Sequence, residues 1–201
     1  MQCIIGIDEA GRGPLAGPVV VAGVMMESKM KNGKWKKEFP VLDGIRDSKK
    51  LSAKKREEWF RILTNHPQIT WAAARVLQKT IDRINIMRAT NLGVARVFSS
   101  LSTLPFGGDT SEWGFWVLLD GGLRLPARIP HEVIIKGDEK IPLIAAASII
   151  AKVTRDRIML RLHKKYPQYG FDRHKGYGTR AHREMIARFG RSEIHRASFR
   201  F

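Results

Sequence analysis

Asp8 and Glu9 stand side by side after the apolar run Cys3–Ile7, and Gly11-Arg12-Gly13 follows at once. Two more acids have the same setting: Leu119 leads into Asp120-Gly121, and Lys136 leads into Gly137-Asp138. Carboxylates that follow apolar strands and border glycine are poor core residues and good ligands. Brought together they repel, so they need a cation, a shared proton or a basic neighbour. Mg²⁺ suits such a cluster, because it keeps several waters and takes one or two carboxylates plus substrate phosphates. Two such ions about 4 Å apart activate water on one side of a phosphate and stabilise the leaving oxygen on the other. An arginine and exposed backbone N–H groups beside the acids supply phosphate partners. Phosphodiester chemistry is what this combination serves. One condition attaches. Adjacent residues of an extended strand face opposite ways, so Asp8 and Glu9 are expected to share a site by the strand ending at Asp8 and the chain turning.

The remaining charge points to the same kind of substrate. The 201 residues hold 36 Lys and Arg against 19 Asp and Glu, a formal charge of +17. Residues 28–61 carry a net +7 and residues 151–201 a net +10, whereas 62–150 carry +2 and 1–27 carry −2. Two dense basic blocks favour a nucleic acid over a merely solvated surface. Cys3 is the sole cysteine. It excludes an internal disulfide, suits a reducing cytoplasm and is expected in the core. The six histidines show no zinc spacing, and there is no nucleophile elbow, Walker A loop or dinucleotide fingerprint. No apolar stretch approaches a membrane span, so a cytoplasmic monomer with no membrane partner is expected. The rival reading, a non-catalytic RNA- or DNA-binding protein, explains the charge but not acids at three strand ends.

Elements that could position these groups are legible from the pattern. Strands are predicted at 3–7, 19–25, 69–76, 115–119 and 132–136. Residues 28–40, rich in lysine, are predicted as an exposed loop, and 104–114 as another. Helices are predicted from Ser52 as N-cap to about Asn65, over 80–101 as one long element, from Pro142 to about Lys165, and from Thr179 as N-cap to Phe189, with Gly190 as the stop. Arg155 and Asp156 are expected to form local helix pairs. The order implies an α/β fold with a mixed sheet and helices against it. One domain over 1–201 is expected, with a helical C-terminal part from about 166.

The motifs together resemble bacterial ribonuclease HII, a type 2 ribonuclease H family. The resemblance begins at Gly6-Ile-Asp8-Glu9-Ala-Gly11-Arg12-Gly13 and continues through Asp47-Ser48-Lys49-Lys50-Leu51-Ser52 and Ile81-Asp82-x-x-Asn85-Ile86. It runs on through Leu119-Asp120-Gly121, Lys136-Gly137-Asp138 and the 145–156 segment. Tyr169-Gly-Phe-x-x-His174-Lys175-Gly176-Tyr177-Gly178-Thr179 and His195-Arg196-x-Ser198-Phe199 complete it, so it spans nearly the whole chain in order. It implies an RNase H-like fold and a metal-dependent endonuclease using Mg²⁺ or Mn²⁺. The implied substrates are RNA–DNA hybrids and DNA duplexes containing single ribonucleotides, cut on the 5′ side to leave 5′-phosphate and 3′-hydroxyl ends. The implied metal-binding and catalytic acids are Asp8, Glu9, Asp120 and Asp138, with Asp138 also a candidate for orienting water or assisting the leaving group. Gly11, Arg12, Gly13 and Tyr177 are the implied readers of the 2′-hydroxyl and the ribose–deoxyribose junction. A 2′-hydroxyl is what separates RNA from DNA at one site. Tyr177 alone would pass for a core or turn aromatic; the neighbouring Arg173-His174-Lys175 favours substrate. Lys49 and Lys50 are phosphate contacts or solvated lysines, and Asn85 orients a phosphate or is a helix-surface amide.

Overall fold

The computed structural model describes residues 2–27, 30–31, 34–35, 39–45, 51–103 and 114–200. Among the described residues seven strands form: β1 (Gln2–Ala10), β2 (Val19–Glu27), β3 (Met30–Lys31), β4 (Lys34–Trp35), β5 (Thr70–Val76), β6 (Gly114–Asp120) and β7 (His131–Ile134). Five make one sheet in the order β5-β2-β1-β6-β7. β2 runs antiparallel to β1 and β5, while β6 and β7 run parallel to β1 and to each other. This is the mixed sheet predicted. β3 and β4 pair as a short ribbon within the stretch predicted as loop.

Side-chain alternation sends each strand's residues to two cores. Ile4, Val20, Ala22, Val24 and Leu118 pack with Leu143, Ile144, Ala147 and Ile150 of helix α5 (Pro142–Lys165) and Leu63 of α1 (Ala53–Asn65). Cys3, Ile5, Ile7, Val21, Val117 and Leu119 pack with Val94, Val97 and Leu101 of helix α3 (Ile86–Ser102). Cys3 is thus a core residue, as expected. Gly6 allows α5 to lie directly on β1, since a Cβ there would stand 2.5 Å from the Leu143 carbonyl carbon.

Three boundaries that bear on the site differ from those predicted. β1 continues through Ala10, because Asp8, Glu9 and Ala10 keep pairing with Ala22, Val21 and Val20. The long helix at 80–101 is two: α2 (Gln78–Ile84) and α3, separated at Asn85 with φ 65 and ψ 166. The Asn85 side chain accepts from Arg88 N–H at 3.0 Å, so a local cap displaces helix continuation. The strand before Asp138 ends at Ile134, Lys136 takes a left-handed φ of 56, and Asp138 lies in the short helix α4 (Gly137–Lys140). The predicted caps are seen. Ser52 accepts from Lys55 N–H, Thr179 from His182 N–H, and Gly190 ends α7 (Arg180–Phe189) with φ 71.

After α5 come a short turn at Pro167–Tyr169, helix α6 (Phe171–His174) and α7. These bury Tyr169, Phe171 and Ile186 against Leu15, Ala16 and Met159. The chain's last turn then returns to the loop after β1: Ala16 bridges His195, Gly17 N–H donates to Ile194 O, and Arg196 N–H donates to Leu15 O.

Candidate active site

The last pair between β1 and β6 is Ile7 with Leu119, and β6 ends at Asp120, level with Asp8, so β1 runs two residues past its parallel neighbour while β2 still holds its other edge. Alternation puts Asp8 and Asp120 on the α5 face and Glu9 on the α3 face. At the open edge they meet. Asp8 Oδ1 accepts Glu9 N–H at 2.7 Å, which lays its carboxylate along the strand. Ligand oxygens of Asp8, Glu9 and Asp120 all lie within 4.8 Å of one another. The expected turn at Asp8 is therefore not what unites the two adjacent acids; the missing neighbour strand is. Asp120 Oδ1 accepts Gly137 N–H at 2.7 Å, which fixes α4 beside it. Asp138 is buried one residue on, outside the group of three.

The cluster is electrostatically unsatisfied. Burial, and then the Glu9 charge, hold the Asp8 carboxyl well above the usual range, although a Ser148 hydrogen bond pulls it down. Burial also raises Glu9, opposed by the Arg12 guanidinium, whose Nη1 donates to Glu9 Oε1 at 3.3 Å. Glu9 Oε2 is buried without a hydrogen-bond partner. An orphaned carboxylate oxygen beside two further carboxylates is the donor set a hard divalent cation needs.

Behind the acids, the Gly11-Arg12-Gly13 turn is held from the protein side. Gly11 has φ 96, and a Cβ there would stand 2.0 Å from Arg155 Nε. Arg155 is fully buried and donates from Nε to Pro18 O at 3.0 Å and from Nη2 to Ala16 O at 3.2 Å. It is a tertiary bracket, not the local helix partner expected; Asp156 does pair locally, with Lys152 at 2.8 Å. Arg196 is buried too, and donates to Gly17 O, Arg12 O and Gly11 O at 3.0, 2.7 and 2.6 Å. Burial and the neighbouring Arg155 push it down to about 9, still a cation at neutral pH. On the open side lies a cleft of about 240 Å³, lined by the three acids, the turn, Tyr177, and Ser148, Lys152 and Arg155 of α5. Those α5 residues fall at i, i+4 and i+7, one stripe of the helix. That polar stripe within an apolar helix was the available signal for them. Arg196 offered no comparable local signal.

The matching family model, Ribonuclease HII, covers residues 5–201. The ribonuclease HII of Coxiella burnetii is 46% identical over 197 residues, 98% of this chain and 87% of that one. The chain belongs to the ribonuclease HII family. Ribonuclease HII of Archaeoglobus fulgidus, solved in complex with PCNA, superposes with a TM-score of 0.73 at 29% identity, covering 98% of this chain and 95% of that one. Ribonuclease H2 of Pyrococcus horikoshii gives 0.70 at 26% identity, covering 98% and 93%. The RNase H-like fold and an endoribonuclease that acts on RNA–DNA hybrids with divalent metal follow from this membership.

The other residues that the ribonuclease HII resemblance singled out have diverse placements. Tyr177 is 45% exposed at the cleft mouth, with its ring edge beside Gly13. The left-handed residues Lys175 and Gly176 turn the chain to present it. Asn85 spends its side-chain oxygen on the α3 cap and is not among the cleft's lining residues. Lys49 and Lys50 lie outside the described residues. Arg12 reaches across the cleft, its Nη2 at 2.8 Å from Met87 Sδ near the start of α3. Among the described residues no helix is long and apolar enough to cross a membrane.

Proposed function

We propose that this chain incises duplex DNA on the 5′ side of single ribonucleotides as well as cutting RNA–DNA hybrids, by two-metal catalysis at Asp8, Glu9, Asp120 and Asp138. The observation that carries the reading is the half-buried three-carboxylate cluster with its orphaned Glu9 oxygen, set directly against a glycine turn and Tyr177. These acids would hold Mg²⁺ or Mn²⁺, which would supply water activation and charge neutralisation at the leaving 3′ oxygen, in keeping with 5′-phosphate and 3′-hydroxyl ends.

The chain's own groups do the rest. Ser148 holds the Asp8 carboxylate, Gly137 N–H holds Asp120, and Arg12 holds Glu9 while keeping donors near the substrate phosphate. Asp138 orients the attacking water or passes a proton to the leaving oxygen. The N–H groups of the glycine turn meet the ribose 2′-hydroxyl, and the Tyr177 ring stacks on the adjoining deoxyribose. Lys49, Lys50 and Asn85 serve as outlying phosphate contacts.

The test is a labelled DNA duplex carrying one ribonucleotide, incubated with Mg²⁺, Mn²⁺ or EDTA. Metal-dependent incision 5′ of the ribonucleotide, absent in Asp120→Asn, supports the reading. Cleavage confined to long hybrids removes the roles given to Tyr177 and the glycine turn. Binding without incision under both metals removes the catalytic reading.

A further inference from the structure

The orientation of the glycine turn is set by a residue 184 positions away. In a planar trans peptide the carbonyl of one residue and the N–H of the next point in opposite directions, and the described chain has no cis peptides. Arg196 takes the carbonyls of Gly11 and Arg12 through two guanidinium nitrogens, and that of Gly17 through Nε. The N–H groups of Arg12 and Gly13 must therefore point away from Arg196. The side opposite is the cleft, which Gly11, Arg12 and Gly13 line and Arg196 does not. Among the described residues, neither N–H has a protein acceptor. The segment just after the arginine is in turn clamped: Ala197 N–H, Ser198 N–H and Ser198 Oγ all donate to Asp82 of α2, at 3.0, 2.9 and 2.6 Å.

We infer that Arg196 is the positioning residue for ribose discrimination: by holding the Gly11 and Arg12 carbonyls from behind, it aims the Arg12 and Gly13 N–H groups at the 2′-hydroxyl. The inference rests on the proposed role of the glycine turn and names what enforces it. A planar guanidinium with a rigid fork of donors matches three carbonyls; a lysine ammonium on a flexible stem does not. The buried cation also lies behind the peptides, which strengthens the two N–H groups as donors to an oxygen in the cleft.

The experiment compares affinities for two labelled duplexes of the same sequence, one with a single ribonucleotide and one all DNA. Every protein carries Asp120→Asn, so that nothing is cleaved. In the Asp120→Asn parent the ribonucleotide duplex binds more tightly. Adding Arg196→Lys is expected to lower the ribo-to-deoxy ratio about tenfold, the size of one lost hydrogen bond, with all-DNA affinity held within about twofold. Asp82→Ala, which frees the clamp but keeps the arginine, is expected to lower the ratio by about threefold, and it decides the matter should Arg196→Lys not fold. A purely structural arginine would lower both affinities together and leave the ratio intact, which overturns the inference while the turn's role stands. A ratio of one in the parent overturns the turn's role and the inference with it.

Discussion

Asp8, proposed above as a metal ligand, shows what such a residue costs the fold that carries it. Its carboxyl is buried, faces Glu9, and is held above its ordinary range. A carboxylate whose folded pKa exceeds its unfolded value stabilises at pH below the unfolded value, and that contribution is lost as pH rises through the folded one. Without divalent metal, Asp8 is therefore expected to subtract progressively from the melting temperature as pH rises from about 4 toward neutrality, against the opposite trend of the buried histidines. Mg²⁺ should restore it by binding the folded state. Asp8→Asn removes the repulsion, so it should melt higher than the parent in EDTA while losing cleavage by at least about a hundredfold; thermal melts with and without EDTA, beside hybrid cleavage rates, check both. Ser148→Ala is a milder lesion. It leaves the carboxylate but frees its orientation, and a loss of about tenfold in activity or metal affinity is expected from titrations of cleavage against Mg²⁺.

At the scale of elements, the junction of α2 and α3 has the clearest consequence. Asn85 caps α3 from a backbone region that L-residues rarely enter, and two residues later Met87 meets Arg12. Asn85→Ala loses the cap and keeps the strain, so it should cost about 1–2 kcal/mol in urea unfolding. Asn85→Gly relieves the strain as it loses the cap, and should lie within a few tenths of a kcal/mol of the parent. A loss of cleavage beyond the stability change in Asn85→Ala would give the amide a part in substrate contact as well. The β1–α5 contact is less forgiving. Gly6→Ala pushes a methyl into the Leu143 backbone, an overpacking expected to cost about 3 kcal/mol.

Across the whole molecule, the C-terminal helices form a second packed layer whose hydrogen bonds require neutral histidines. His182 Nδ1 faces the Tyr177 carbonyl and must donate. His195 Nδ1 accepts Ser192 N–H, so its Nε2–H donates to His182 Nε2 at 3.1 Å. Burial holds His182 down at about 4 and lowers His174 and His195 too. A histidine depressed in the folded state leaves the unfolded chain binding more protons between the two values. The stability these histidines supply is complete above about pH 6.5 and is lost as pH falls toward 4. With the opposing Asp8 contribution removed by Asp8→Asn, urea midpoints should drop between pH 7 and 5, and adding His182→Gln should flatten that slope by about one proton. The +17 charge acts at the same scale. Affinity for a hybrid should fall about 10²- to 10³-fold between 50 and 200 mM salt, as phosphate contacts exchange with counterions; fluorescence anisotropy at a series of salt concentrations measures it.

The amino-acid sequence alone determined what is local: alternating apolar strands, the caps at Ser52 and Thr179, the stop at Gly190, and acids close to glycine after three apolar runs. Each depends on neighbours within a few residues, so pattern and residue type suffice. The break at Asn85 is also local but leaves no mark in the pattern, because an asparagine within an apolar period looks the same until its backbone takes a positive φ. Only the tertiary structure decided that Glu9 joins Asp8, since that depends on β6 ending two residues short of β1. It alone decided that Arg155 and Arg196 lie buried behind the glycine turn. Arginine is ordinarily a surface residue, and its burial becomes tolerable once distant backbone carbonyls converge to accept its donors. Such convergence arises from chain segments far apart in sequence, where periodicity and spacing carry no information.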